Sequence, residues 1–433
     1  MSDCCLLNVF RTFFIPILLA LIALGGTACT RGEQEKIHLT FWAMGAEGEH
    51  VRELISRFEK KHPDVRVKVQ SIPWGAAHEK LLTAYAGQST PDVCQLGNTW
   101  IAEFHAMNAL YPLDSLIQSS TLISRDKFFE GVWKTNVINR TTYGIPWYVD
   151  TRVLFYREDV LNEIGYISPP KTWDEYLTVA RKLKQHFAGT PLKYAVYYSL
   201  IFNDGYVPVI LIMQNNGRFL KDHYRYAAFD NSATVDALRY YLTFFEEDLA
   251  PKSMTRFANL FQGFENADFS MMIHGPWIAN ELKRRAKIEG KWQTAILPAK
   301  HNAVSLAGGS SLIIFRNSPH KKAAWKLIEF LNSTEQQVTF YQLTRDLPSL
   351  INAWAVTELK NDRIMQAFYH QLQQVQPTPP IAEWEQIYVK LQEHLEQVIF
   401  HRATLPEAIR RLNDDVNRIL EKRRWLLSQN LIE

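Results

Sequence analysis

Four stretches of this sequence place an aromatic or hydrogen-bonding residue directly after a run with strand character. They are Phe41-Trp42-Ala43-Met44-Gly45-Ala46-Glu47, Gly97-Asn98-Thr99-Trp100, Tyr143-Gly144-Ile145-Pro146-Trp147-Tyr148-Val149-Asp150 and His274-Gly275-Pro276-Trp277. Indoles supply flat apolar platforms, while carboxylates and amides supply hydrogen-bonding edges. Together they suit a sugar, whose C–H-rich ring face packs on an indole while its hydroxyls bond the polar groups. A single Trp is as readily explained by core packing, because Trp is highly buried on average. Four of them in strand-exit loops point to a site. Carboxylates in the same loops leave a second reading open, a secreted glycosidase or lyase with Glu47 or Asp150 as acid and base.

Other chemistries have no matching pattern. The sequence holds no Gly-rich dinucleotide fingerprint, P-loop, GxSxG elbow or HExxH helix. Its 13 His are scattered without ligand spacing, so no metal and no cofactor is expected. Gly308-Gly309-Ser310-Ser311 precedes a strand, whereas a phosphate cradle opens a helix. The formal net charge of +3 is spread along the chain without the basic stripe that a nucleic acid would require.

The elements that must position these loops are α/β. Ile37, Leu39 and Phe41 alternate as a strand, and Val51, Leu54, Ile55 and Phe58 recur as an amphipathic helix. After Pro63-Asp64 the alternation resumes at Val65, Val67 and Val69, completing a βαβ unit. A helix near 76–87 then leads to the strand Val93–Leu96. Capping boxes at Thr172/Glu175 and Thr404/Glu407 open later helices, residues 234–247 read as helix, and Phe269–Ile273 and Leu312–Phe315 read as buried strands. Trp173 and Trp325 fall on helical apolar stripes and are expected in the core. In such sheets ligands bind beyond the carboxyl ends of the strands, where the four loops fall.

The chain begins with one long apolar run, residues 13–28, too short and too Pro-interrupted to span a bilayer and suited to a signal peptide. It ends at Gly25-Gly26-Thr27-Ala28 before Cys29, which resembles a bacterial lipoprotein signal with Cys29 as the lipidated residue. Gly26 stands where a Leu is usual, with Leu24 further upstream. Residues 1–28 are thus expected as the leader and 29–36 as a polar tether, with export to the periplasm or the outer face of the cytoplasmic membrane. Cys94 would have no disulfide partner.

At the level of whole stretches the sequence resembles the extracellular solute-binding proteins of bacterial ABC importers, in the sugar-binding, maltose-binding-protein-like branch. The resemblance is carried by HLTFWAMG, PDVCQLGNTWIAEF, ALYPLDSLI, YGIPWYVDTRVLFYREDVL, PPKTWDEYLTVARKL, MMIHGPW, AGGSSLIIF, AAWKLIEFLNSTEQQ and LTRDLPSL, in family order over residues 37–350. It implies a two-lobed periplasmic-binding-protein-like fold, each lobe a mostly parallel sheet flanked by helices and joined by hinge strands. The implied segments are 37–149 and 276–316 for the first lobe, and 150–275 and 317–433, with a helical end, for the second. A monomer would close on a carbohydrate and deliver it to a membrane permease, touching the membrane only through its lipid anchor and doing no chemistry on the ligand.

Matching positions imply a site. Glu47 would bond hydroxyls from the first lobe, with Trp74, Asn98 and Trp100 along the same wall. Trp147 and Asp150 would sit at the crossing between lobes, and Trp277 would stack on the sugar. The backbone of Gly308, Gly309 and Ser310 would approach the ligand closely. Two positions depart from the family pattern. Asn108 replaces a frequent Gly, and Arg345 replaces the Gly of the Thr344-Arg345-Asp346-Leu347-Pro348 turn. A guanidinium there would favour an anionic ligand such as a glycerol phosphate derivative, if it faces the cleft rather than solvent.

Overall fold

A computed structural model describes residues 36–190, 193–200, 206–253 and 259–429. The expected leader, Cys29 and all but the last residue of the tether lie outside them. Strand β1 (Ile37–Met44) buries Leu39, Phe41 and Ala43 on one face, as its alternation requires. Helix α1 (Gly45–Lys61) follows at once and buries Val51, Leu54, Ile55 and Phe58 on one stripe. Strand β2 (Val65–Ile72) returns parallel to β1. Helix α2 (Trp74–Ala86) then leads to β3 (Val93–Gly97), which lies parallel to β1 on its other side.

Strands β4 (Ile145–Asp150) and β5 (Val153–Arg157) are separated only by Thr151 and Arg152. Beyond them come β6 (Tyr194–Tyr197), β7 (Phe269–His274), β8 (Trp292–Ala295), β9 (Ser305–Leu306), β10 (Gly308–Ile314), β11 (Leu347–Pro348) and β12 (Val375–Gln376). Six strands form one sheet in the order β11-β4-β10-β3-β1-β2, and four form another in the order β8-β5-β7-β6. The expectation of mostly parallel sheets needs correction. β10 runs antiparallel to both β3 and β4, β11 runs antiparallel to β4, and β5 runs antiparallel to β7 and β8. β10 and β5 each enter their sheet directly from the other lobe, arriving at its opposite end, and so pair antiparallel with β3 and β7.

The chain crosses between sheets at Thr151-Arg152 and again just before β10, and the two crossings are stitched together. Thr151 Oγ1 donates to the Leu306 carbonyl at 2.8 Å, and Ser305 Oγ donates to the Arg152 carbonyl at 2.9 Å. β12 lies parallel beside β9. A short, doubly bonded crossing of this kind is hinge geometry, because few backbone angles separate two packed bodies.

Among the helices that follow are α3 (Trp173–His186), α4 (Ser232–Glu246), α5 (Pro276–Lys283), α6 (Lys321–Leu331), α7 (Thr334–Thr344), α8 (Arg363–Leu372), α9 (Trp384–Ile399) and α10 (Leu405–Ile419). The expected segment limits move. α5 buries Ile278, Ala279 and Leu282 with Phe155, Phe269 and Met272, and β8 pairs with β5, so residues 276–295 belong with the second sheet. α6 and α7 place Leu327, Ile328, Leu331 and Phe340 in the cluster of Leu39, Phe41 and Val51, so residues 321–348 belong with the first. An apolar stripe identifies a buried face but not which sheet it covers.

Thr404 and Glu407 form the full reciprocal capping box, whereas at α3 the Glu175 carboxylate reaches the Lys171 N–H instead of that of Thr172. Trp173 and Trp325 are buried core residues. Asn108 takes the left-handed backbone (φ 59°), which Asn tolerates better than most residues.

Candidate functional site

Between the lobes lies a cavity of about 800 Å³. On its first-lobe side the carboxyl end of β1 turns into α1, which sets Glu47 in its first turn. Glu47 Oε1 accepts a hydrogen bond from the Tyr148 hydroxyl at 2.8 Å and from Trp74 Nε1 at 3.3 Å. Gln95 backs this arrangement from β3. Its Nε2 donates to the Tyr148 oxygen at 3.4 Å, and its Oε1 accepts the Met44 N–H at 2.8 Å. Burial and the adjacent Glu47 carboxylate push the Tyr148 hydroxyl well above the usual phenol range, so it remains a donor.

Trp74 and Trp100 meet edge to face with ring centroids 5.9 Å apart, and both line the cavity. Asn98 Nδ2 donates to the Ala307 carbonyl at 3.0 Å, which ties this wall to the second crossing. On the opposite side Trp277, 42% exposed, projects from the first turn of α5. A Cβ at Gly275 would overlap its indole, so only glycine lets the ring fold back over the strand end. Arg152 lies 4.8 Å over the Trp277 ring and 5.9 Å over that of Tyr206, and it donates to Asp150 Oδ1 at 2.7 Å. Arg152 therefore covers one face of Trp277 from the crossing itself.

Of the residues expected in the site, Glu47, Trp74, Asn98, Trp100, Asp150, Trp277, Gly309 and Arg345 line this cavity. Trp147 does not, and that expectation is corrected. It is 1% exposed, stacked on Phe340 at 4.3 Å and edge-on to Phe41 at 6.0 Å, inside the first-lobe core. Side chains alternate along β4, so Trp147 and Asp150, three residues apart, cannot share a face. Tyr148 shares Asp150's face and takes the place expected of Trp147. Ser310 is also corrected, since it is 2% exposed within β10 and lines no part of the cavity. The glycines before it answer first to β4. A Cβ at Gly308 would overlap Asp150 Oδ1, and Gly309, at φ 114°, packs against the Tyr148 carbonyl. Trp42 is half-buried against the first-lobe core with Lys80 over its ring, and it does not line the cavity.

Arg345 closes α7 in the left-handed conformation at φ 67°, where the family's glycine carries no steric penalty. Its guanidinium bonds Glu358 and lies 5.3 Å over Tyr341. The adjacent Asp346 lines the cavity too. Burial raises its carboxyl well above the usual range, and the facing Glu47 and Asp150 push it the same way. Glu385, in the first turn of α9, reaches Thr99 of the first lobe and is likewise raised by burial. Sequence reasoning missed Tyr148, Arg152, Asp346 and Glu385. Strand parity could have found Tyr148, whereas nothing local marks Glu385, because it meets the site only through the packing of α9.

Two lobes, a stitched hinge and a ligand-sized cleft lined by indoles and carboxylates define a bivalve binding protein. Residues 43–338 match the bacterial extracellular solute-binding protein family, and the chain belongs to that family. It is similar to the sugar-binding protein MalE from Xanthomonas citri, with 40% identity and a TM-score of 0.86 over 90% of this chain and 99% of that one. A maltooligosaccharide ABC transporter solute-binding lipoprotein of Streptococcus pneumoniae is 25% identical over 86% of each chain. An arabinooligosaccharide-binding protein of Bacillus subtilis is 24% identical over 80% of this chain and 82% of its own length. The family is one of binding proteins, so the glycosidase or lyase reading is set aside.

Proposed function

We propose that this protein captures a sugar or oligosaccharide between its lobes and delivers it to the membrane permease of an ABC importer. The observation that carries this reading is the cavity itself, where Trp74 and Trp100 on one lobe face Trp277 on the other across a rim of carboxylates. Indoles on opposite walls suit the two faces of a sugar chain, and Glu47, Asp150 and Asp346 suit its hydroxyls. Asn98 and Gly309 complete the contact set, while the Arg345 guanidinium at the cavity edge is engaged by Glu358. The relatives bind maltooligosaccharides and arabinooligosaccharides by name, which supports an oligosaccharide without choosing one.

Contacts from both lobes exist together only when the cleft is closed, so ligand shifts the open–closed population by its differential affinity. The permease then receives loaded protein preferentially. Cys29 serves as the lipid attachment point outside the cytoplasmic membrane, in keeping with the lipoprotein naming of the Streptococcus relative. Among the described residues no helix is long and apolar enough to cross a membrane.

A melting-shift screen of mono-, di- and trisaccharides tests the reading. The right sugar at a hundred times its dissociation constant adds about 2.7 kcal/mol of stability. A panel in which every carbohydrate leaves the curve unmoved, while a peptide or polyamine raises it, rejects it.

A further inference from the structure

The charge on the cavity wall is unevenly paired. Five carboxylates and three guanidiniums line it. Each guanidinium is already matched. Arg152 donates to Asp150 at 2.7 Å, Arg284 donates to Glu281 at 2.8 Å, and Arg345 bonds Glu358. Glu47, Asp346 and Glu385 remain, and none of them forms an ion pair with Lys or Arg in the described residues. Glu47 is held by neutral donors, the Tyr148 hydroxyl and the Trp74 indole. Asp346 and Glu385 have the neutral side chains of Thr344 and Thr99 beside them, and Glu385 Oε1 is buried without a hydrogen-bond partner.

These groups come from three separated parts of the chain and sit on both lobes, so the surplus surrounds the space that a ligand would fill. Among the described residues no three acidic or imidazole groups lie close enough together to hold a metal ion. Glu47, Asp346 and Glu385 therefore do not converge on a metal-sized point. That spacing suits hydroxyls distributed around a sugar ring, each donating to its own acceptor.

We propose that this cleft selects neutral saccharides and excludes those bearing phosphate, sulfate or carboxylate, with Asp346, Glu47 and Glu385 as the excluding groups. The proposal rests on the carbohydrate reading above and narrows it. At a pH above the raised values of Asp346 and Glu385, where the calorimetry is run, an anion among these groups meets like charge in a partly desolvated cleft, or else forces a carboxylate to take up a proton. Either route weakens binding. Arg345 does not offset the effect, because its guanidinium is already bonded to Glu358 and stacked on Tyr341.

The test is calorimetry on the exported chain with matched pairs. Neutral malto- and arabinooligosaccharides are each compared with a counterpart carrying a 6-phosphate or a uronic carboxylate. The neutral member of the pair that binds is expected to bind about a hundredfold more tightly. Asp346→Asn and Glu385→Gln, both nearly isosteric, are each expected to narrow that ratio about tenfold, and unliganded melting curves report their folding. An anionic member that binds as tightly as its neutral partner overturns the charge selection while leaving the carbohydrate reading intact. A ratio that both folded variants leave unchanged overturns the assignment to these residues. No binding by any saccharide, neutral or anionic, sinks both.

Discussion

The Tyr148 hydroxyl donates to Glu47 Oε1 at 2.8 Å across 101 residues of sequence. That bond joins the strand leading into the hinge to the helix opening the first lobe's wall. It fixes the carboxylate from inside the protein, leaving the ligand to meet an acceptor that is already oriented.

Tyr148→Phe removes the bond and keeps the ring. Hydrogen bonds to charged groups contribute about 1.5–3 kcal/mol, and Glu47 would be left with a single weak donor from Trp74. Chemical denaturation is expected to show a loss of about 2 kcal/mol. Calorimetry with the saccharide found by screening is expected to show at least about tenfold weaker binding. Unchanged affinity would mean that Glu47 needs no orientation.

Trp277 and Trp147 should separate cleanly. Trp277 is a partly exposed cleft residue, so Trp277→Ala is expected to weaken saccharide binding by about 10- to 100-fold with little change in unliganded melting. Trp147 is stacked on Phe340 in the core, and Trp147→Ala is expected to cost about 3–5 kcal/mol of stability. Melting curves with and without sugar distinguish the two. The reverse pattern would place the sugar platform on the wrong residue.

Asp346 predicts a pH dependence. Burial raises its folded-state pKa above the ordinary carboxylate value of 3.8, so the folded chain holds this proton more tightly than the unfolded chain does. The contribution to stability is therefore greatest below that value and falls as pH rises toward the raised pKa. Asp346→Asn should remove this part of the decline. Denaturation midpoints from pH 4 to 8 check it, and identical slopes for the two proteins would falsify the assignment.

Arg345 occupies left-handed backbone at the end of α7. Replacement by Gly relieves about 1 kcal/mol of steric cost, while the exposed pair with Glu358 contributes about 0–1 kcal/mol. Arg345→Gly is expected to raise the melting temperature slightly and leave saccharide affinity within about twofold. A marked loss of affinity would show the guanidinium acting on the ligand.

Much of the local structure is legible in the residues. The alternation in β1, the stripe of α1 and the Thr404/Glu407 box appear where the pattern puts them, because each depends on neighbours a few positions apart. Tyr148 was also within reach, since strand parity sets it beside Asp150 and sets Trp147 against the core. Residues Trp74 and Trp277 emerge at the cavity because strand ends and helix starts there are short and fixed by Gly and Pro.

The sequence by itself determined the α/β elements, the aromatic strand-exit loops and the family. Tertiary structure alone decided which sheet each helix covers, that the sheets are mixed, and that Asp346 and Glu385 meet Glu47's side of the cleft. Periodicity records how a segment buries its own face. Residues hundreds of positions apart share a wall only through the packing of whole helices and sheets, and no short window of sequence carries that information.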